Sequence, residues 1–247
     1  MITLDEQTKT TARVASGIPG LDALVGGGFP RHRTVLVCGD IGTGKTTFGL
    51  QFLMEGVTRE EPGVLISIDE KPAHLVEDAR RFGWDVAAAM GRQLLTVLEA
   101  SPYFTALRSR NGIDARQVGG DLAQQVRRAK AGRLVIDGAT SLVPDGAPPG
   151  EVEDFLRSLI ASLENNLGCT TVLTAQTCND LHTSRVGPIA ERLMSGVIEL
   201  KIAPVGGDRA SHRRSALIRK MRGAPAALGE RPFDIVDGRG IVVPEPS

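Results

Sequence analysis

Residues 35–48, VLVCGDIGTGKTTF, set an apolar run directly against three glycines, a lysine and three threonines. The apolar part reads as a buried strand, the glycines as a turn, and the residues from Lys45 onward as a helix. Gly39-Asp40-Ile41-Gly42-Thr43-Gly44-Lys45-Thr46 satisfies GxxxxGK[ST] in that context. Glycines let backbone N–H groups approach phosphate oxygens with no Cβ in the way. The helix start adds its positive end, Lys45 is placed for the β- and γ-phosphates, and the Thr46 hydroxyl for Mg²⁺. The segment Gly39 to Thr47 is therefore the candidate cradle for a nucleotide.

Working outward, the same strand signal recurs at 64–68 (VLISI), 94–98 (LLTVL), 134–136 (LVI) and 170–174 (TTVLT). Apolarity that is continuous rather than alternating fits strands covered on both faces, as in a parallel sheet. Residues 150–168, GEVEDFLRSLIASLENNLG, keep helical spacing, with Glu151, Glu153 and Asp154 where a helix start favours negative charge. Residues 144–151 read as a loop. GVIELKIAP (196–204), RSALIRKMRG (214–223) and FDIVDGRGIVV (233–243) read as closing strands joined by short turns. The expectation is one α/β domain over 13–247 behind a tail of residues 1–12. Its mostly parallel twisted sheet is flanked by helices and carries an antiparallel C-terminal edge. Gly17 to Gly20 and Gly26 to Gly28 are expected as turns at the nucleotide's edge.

The P-loop requires acidic partners at the ends of neighbouring strands. RLVID ends on Asp137, placed to hold a water on Mg²⁺. VLISI runs into Asp69 and Glu70, candidates to orient an attacking water. Gln176, ending TTVLTAQ, is a third polar group for the same rim. A guanine-reading NKxD is absent from the sequence, so ATP is the default nucleotide.

Composition bounds the rest. Lys+Arg and Asp+Glu both total 29, so no overall basic field draws the 247-residue chain to nucleic acid or membrane. No apolar segment is long enough for a bilayer, and MITLDEQTKT has no apolar leader. Cys38, Cys169 and Cys178 lack CxxC spacing, which fits reduced thiols in the cytoplasm. His32, His74, His182 and His212 have no metal-ligand spacing.

The 13–52 opening, the LISIDEKPAHLVEDARRFGWDV segment, RLVIDGATSL and ALIRKMRGAPAALGERPFDIVDGRGI together resemble the KaiC-type ATPases of the RecA superfamily. The resemblance implies a RecA-like core, an Mg²⁺-dependent ATP hydrolase, and a homo-oligomeric ring, usually of six, with ATP at each interface. It implies a regulatory or signalling role through an unidentified protein partner. Asp69 and Glu70 align with that family's paired catalytic carboxylates. Lys220 and Arg222, two apart on a strand, align with cations that reach the neighbouring subunit's phosphates. The chain departs from the family in having Asp69 where Glu is usual, which favours Glu70 as the base. It also has Glu191 and Arg192 where the clock protein's second domain carries phosphorylated hydroxyl residues, so autophosphorylation of that kind is not expected.

Two other readings stay open. A DNA-acting, recombinase-like ATPase draws on Gln176, the loop after it (177–187), and Arg108 and Arg110 beside Tyr103 and Phe104. Neutral net charge and 4% aromatic residues weigh against it. A nucleotide-dependent scaffold that does not hydrolyse ATP draws on the Asp69 substitution.

Overall fold

The computed structural model describes residues 12–110, 114–142, 148–176, 186–205, 208–224 and 229–244. The chain opens with β1 (Arg13–Val14), α1 (Leu21–Leu24), β2 (Phe29–Pro30), β3 (Thr34–Gly39), α2 (Lys45–Thr58), β4 (Gly63–Ser67), α3 (Pro72–Arg81) and α4 (Val86–Gly91). It continues through β5 (Leu95–Glu99), α5 (Ser101–Arg110), α6 (Ala115–Ala129), β6 (Arg133–Asp137), a 3-10 turn (Ala139–Leu142), α7 (Pro149–Asn166) and β7 (Thr170–Ala175). It closes with α8 (Val186–Leu193), β8 (Gly196–Val205), β9 (Asp208–Met221), β10 (Gly229–Val236) and β11 (Gly240–Val242).

Nine strands form one sheet in the order β11-β10-β9-β8-β3-β7-β6-β4-β5. From β8 to β5 every pairing is parallel, and β9, β10 and β11 add antiparallel pairings at the other edge. The period-two alternation of a strand divides each apolar run between two cores. Val35 and Val37 face α2, α3 and α4, whereas Leu36 and Cys38 face α6 and α7. This double burial explains the unbroken apolar runs in the sequence. It leaves the C-terminal ends of β3, β4, β6 and β7 free at one rim, where α/β sheets bind ligands.

Some boundaries differ from the sequence reading. β4 stops at Ser67, one residue short of the apolar run, although Ile68 still donates its N–H to the Asp137 carbonyl of β6 at 3.0 Å. α7 begins at Pro149, inside the stretch read as a loop; proline fits a first helical turn, where its missing N–H has no partner to lose. The 26–28 glycines do turn with positive φ, but not beside the P-loop. A Cβ on Gly26 would meet Ala224, and Arg13 donates to the Gly28 carbonyl, which places these turns at the opposite end of the sheet.

Candidate nucleotide and metal site

The P-loop leaves β3 at Gly39, which is forced to be glycine by close approach. A Cβ there would lie 2.4 Å from the Leu200 carbonyl oxygen and 2.7 Å from Thr43 Oγ1. Thr43 is buried and donates its hydroxyl to the Asp40 carbonyl at 2.8 Å, closing the turn. Lys45 Nζ spans the loop to the carbonyls of Gly39 and Asp40, each at 2.8 Å. Burial holds its ammonium below the ordinary lysine range, while Asp137 and Asp40 pull the other way. Ile41 stands out at the tip, 82% exposed. Thr47 lines the adjoining cavity with Gly42, Gly44, Lys45 and Thr46.

Thr46 Oγ1 donates to Asp137 Oδ2 at 3.0 Å, so the first turn of α2 meets the end of β6. Asp137 is 8% exposed, and its other oxygen accepts from Thr174 Oγ1. Burial raises the Asp137 pKa above the usual carboxylate range, the hydroxyls of Thr174 and Thr46 oppose that, and neighbouring Asp69 adds to it. A hydroxyl and a carboxylate at the foot of a phosphate cradle fit Mg²⁺, which binds few protein ligands and completes its shell with phosphate and water. Among the described residues there is no group of three or more His, Cys, Asp or Glu to make an all-protein metal cage.

β4 and β6 pair in parallel with Ser67 opposite Asp137, so Asp69 and Glu70 emerge beside Asp137. The structure separates the two acids. Asp69 Oδ1 accepts from Ser141 Oγ at 2.9 Å, and a Cβ on Gly138 would lie 2.4 Å from Asp69 Oδ2. Asp69 is thus turned onto the Ala139–Leu142 turn. Glu70 instead lines the cavity of about 380 Å³ that holds Lys45 and Thr46. Burial, then Asp78 and Asp137, raise the Glu70 pKa, and His74 partly offsets them.

Gln176 follows β7 on the same rim, exposed, with its N–H donated to Thr140 Oγ1 at 2.9 Å. Lys220 and Arg222 lie elsewhere. Lys220 pairs with Val197 and Met221 with Gly196, whereas the P-loop strand ends beside Leu200. At least three residues of strand, about 10 Å, separate these cations from the level at which the P-loop leaves β3. Lys220 Nζ donates to the carbonyls of Glu191 (2.8 Å) and Arg192 (3.1 Å), and Arg222 donates to Arg192 O at 3.4 Å. Glu191 and Arg192 themselves form ion pairs with Arg219 and Glu153.

Sequence reading missed a second wall of the cavity. Asp78, Arg81 and Phe82 come from the end of α3, Ile235 from β10 and Arg214 from β9. Arg214 Nη2 reaches the Gly42 carbonyl at 3.5 Å, and Arg81 pairs with Asp237. No local motif announces them, since they converge only when the C-terminal hairpin folds over α3. The side chains of Arg108 and Arg110, Cys178, His182 and most of the loop after Gln176 lie outside the described residues. Tyr103 and Phe104 pack edge to face, and Phe104 is buried in the α6–α7 core, so Phe104 is no exposed stacking platform.

Comparison with known proteins extends this geometry. The family described as "ATPase: KaiC" matches residues 14–247. A UPF0273 protein of Pyrococcus horikoshii is 32% identical over 243 residues, covering 94% of each chain. The circadian clock oscillator protein KaiC of Parathermosynechococcus lividus is 35% identical over 228 residues, covering 90% of this chain but 40% of that protein. The crystal structure of a KaiC-like protein from Pyrococcus horikoshii superposes with a TM-score of 0.78 at 33% identity, covering 95% of this chain and 99% of that one. With a RecA-like sheet, a complete P-loop and a match along nearly its whole length, the chain belongs to the KaiC family of ATPases.

Proposed function

We propose that this protein is a single-domain, Mg²⁺-dependent ATP hydrolase that works as a ring, usually of six copies, and acts as a regulatory ATPase. The observation that carries this reading is the convergence of Lys45, Thr46 and Asp137 at the mouth of β3 and β6. The backbone N–H groups of the P-loop and Lys45 bind the phosphates. Thr46 and Asp137 would hold Mg²⁺, whose contribution there would be to offset negative charge on the phosphate oxygens. Glu70 faces the cavity and accepts the proton of the attacking water, while Asp69, tied to Ser141, supports the metal side. Gln176 on the rim senses the γ-phosphate.

Lys220 and Arg222 sit far from their own chain's P-loop, which supports an interfacial site completed in trans. In that arrangement Lys220 and Arg222 of the partner subunit meet the transferring phosphoryl group. Such cations are worth on the order of 10³–10⁵ in rate in related chemistry. Neither Glu191 nor Arg192 offers a hydroxyl, so the reading includes no autophosphorylation there. Among the described residues no helix is long and apolar enough to cross a membrane, and the proposed location is the cytoplasm.

The test combines phosphate release, ATP binding and native mass with and without Mg²⁺. Expected are slow ATP turnover, a ring mass in ATP and Mg²⁺, and loss of ATP binding in Lys45→Ala. ATP bound for hours with no phosphate released would leave a scaffold, and strong stimulation by single-stranded DNA would favour a recombinase-like role. Binding unaffected by Lys45→Ala would remove the site itself.

A further inference from the structure

The parallel side of the sheet ends in β5, and among the described residues no strand pairs with its outer edge. The β4–β5 bonds fix which backbone groups face outward. Gly63 N–H donates to Leu94 O at 3.0 Å and Ala100 N–H to Ser67 O at 2.8 Å. With a period of two between these ends, Thr96 and Leu98 also turn to β4. The N–H and C=O groups of Leu95, Val97 and Glu99 therefore point away from the sheet, spaced about 7 Å apart.

A groove of about 650 Å³ runs along this edge. One wall is the end of α4, with Met90 and Arg92, and the other is the end of α6, with Arg128 and Lys130. The floor is Leu95, Thr96 and Val97 of β5 itself. Three cations and no carboxylate line it. Among the described residues Arg92 makes a surface pairing with Glu60 at 3.4 Å, both side chains more than half exposed, which is worth little. Met90 is 40% exposed.

Charged residues beside an open strand also discourage edge-to-edge aggregation. That role alone does not call for a groove with an exposed methionine in its wall. We propose that the outer edge of β5 is a docking site for an extended acidic segment of a partner protein, which adds as a tenth strand. Backbone pairing with Leu95 and Val97 supplies the register, the acidic part of the segment ending short of Glu99 and Asp121, which line the next cavity, and alternate side chains of the segment fall on the two walls. Acidic residues meet Arg128 and Lys130 on one side and Arg92 on the other, with an apolar residue against Met90. A nucleic acid backbone fits the cations, but β5 offers N–H donors and C=O acceptors in alternation, and a phosphate chain, which only accepts, leaves the carbonyls unpaired where an extended peptide matches both.

The surface lies outside the nucleotide cavity, so its test is independent of hydrolysis. The probe is a fluorescent peptide of sequence Thr-Val-Glu-Asp-Glu-Val-Thr-Thr, whose two glutamates share one face and whose aspartate lies between valines on the other, added to the full chain in ATP and Mg²⁺. Saturable binding is expected below about 1 mM, with slowed exchange of the Leu95 and Val97 amides. N-methylation of alternate peptide bonds, in the register that faces β5, should abolish binding, and a Lys-for-acid peptide should not bind. Arg128→Glu with Lys130→Glu should weaken binding at least about tenfold with ATP binding unchanged. Any one of four results overturns the proposal: no saturable binding, indifference to N-methylation, displacement by duplex or single-stranded DNA at equal charge, or loss of the ring in the double variant. The last would make the edge a contact between copies.

Discussion

Thr46 Oγ1 and Asp137 Oδ2 meet at 3.0 Å although 91 residues separate them in the chain. This contact joins the first turn of the P-loop helix to the strand that ends on Asp137. It also gives Asp137 one of the two hydroxyl donors that keep a buried carboxylate chargeable.

Asp137→Asn separates stability from function. Burial raises the Asp137 pKa, so at neutral pH its charged form costs the folded state free energy. That cost falls away as pH drops through the raised folded pKa toward the unfolded one. The amide variant should therefore melt no lower than the parent in Mg²⁺-free buffer at pH 7.5, and should lose Mg²⁺-dependent ATP turnover. Thermal melts with and without Mg²⁺, beside phosphate release, check both halves.

Glu70 sets the acid limb of the pH–rate profile if it is the base. Its pKa is raised first by burial and then by Asp78 and Asp137, so turnover should begin to fall at a higher pH than an ordinary glutamate would allow. Asp78→Asn removes a negative neighbour, lowers the Glu70 pKa and moves the limb to lower pH. A limb that stays in place assigns the proton elsewhere.

Gly138 has φ +87°, and any Cβ there would lie 2.4 Å from Asp69 Oδ2. Gly138→Ala should cost about 1–3 kcal/mol through backbone strain and displace Asp69. Ser141→Ala leaves the backbone alone and removes the 2.9 Å hydrogen bond to Asp69. Its expected effect is a lower kcat with little change in ATP affinity, recovered in part by Ser141→Thr.

Arg222→Ala should keep ATP binding and lose most turnover. Complementation distinguishes a trans role from a local one. Mixing inactive Arg222→Ala with inactive Lys45→Ala should restore a fraction of the activity, since some interfaces then join an intact P-loop to an intact Arg222 of the partner subunit. No recovery in mixed rings of verified composition would confine Arg222 to its contact with Arg192.

Arg133, 1% exposed, donates to Glu61, to the carbonyls of Ala15 and Phe52, and lies 4.6 Å above the Phe52 ring. Arg133→Lys cannot serve these acceptors together and should destabilise the fold by about 3 kcal/mol. Denaturant melts at constant m-value measure it.

By itself the sequence determined what is written in local patterns. The apolar runs fixed the buried strands, the glycine spacing fixed the P-loop, and acids ending two runs placed Asp137, Asp69 and Glu70 on one rim. Those signals are local because strand burial, tight turns and strand ends each depend on a few adjacent residues. Only the tertiary structure separated Asp69 from Glu70, because the distinction lies in Gly138 and Ser141, about 70 residues away. Only folding brought Arg214, Arg81 and Ile235 around the cavity, by closing the last hairpin over α3. The open edge of β5 was equally invisible, since strand order in a sheet is set by long-range packing and no residue in a strand records which neighbour it lacks.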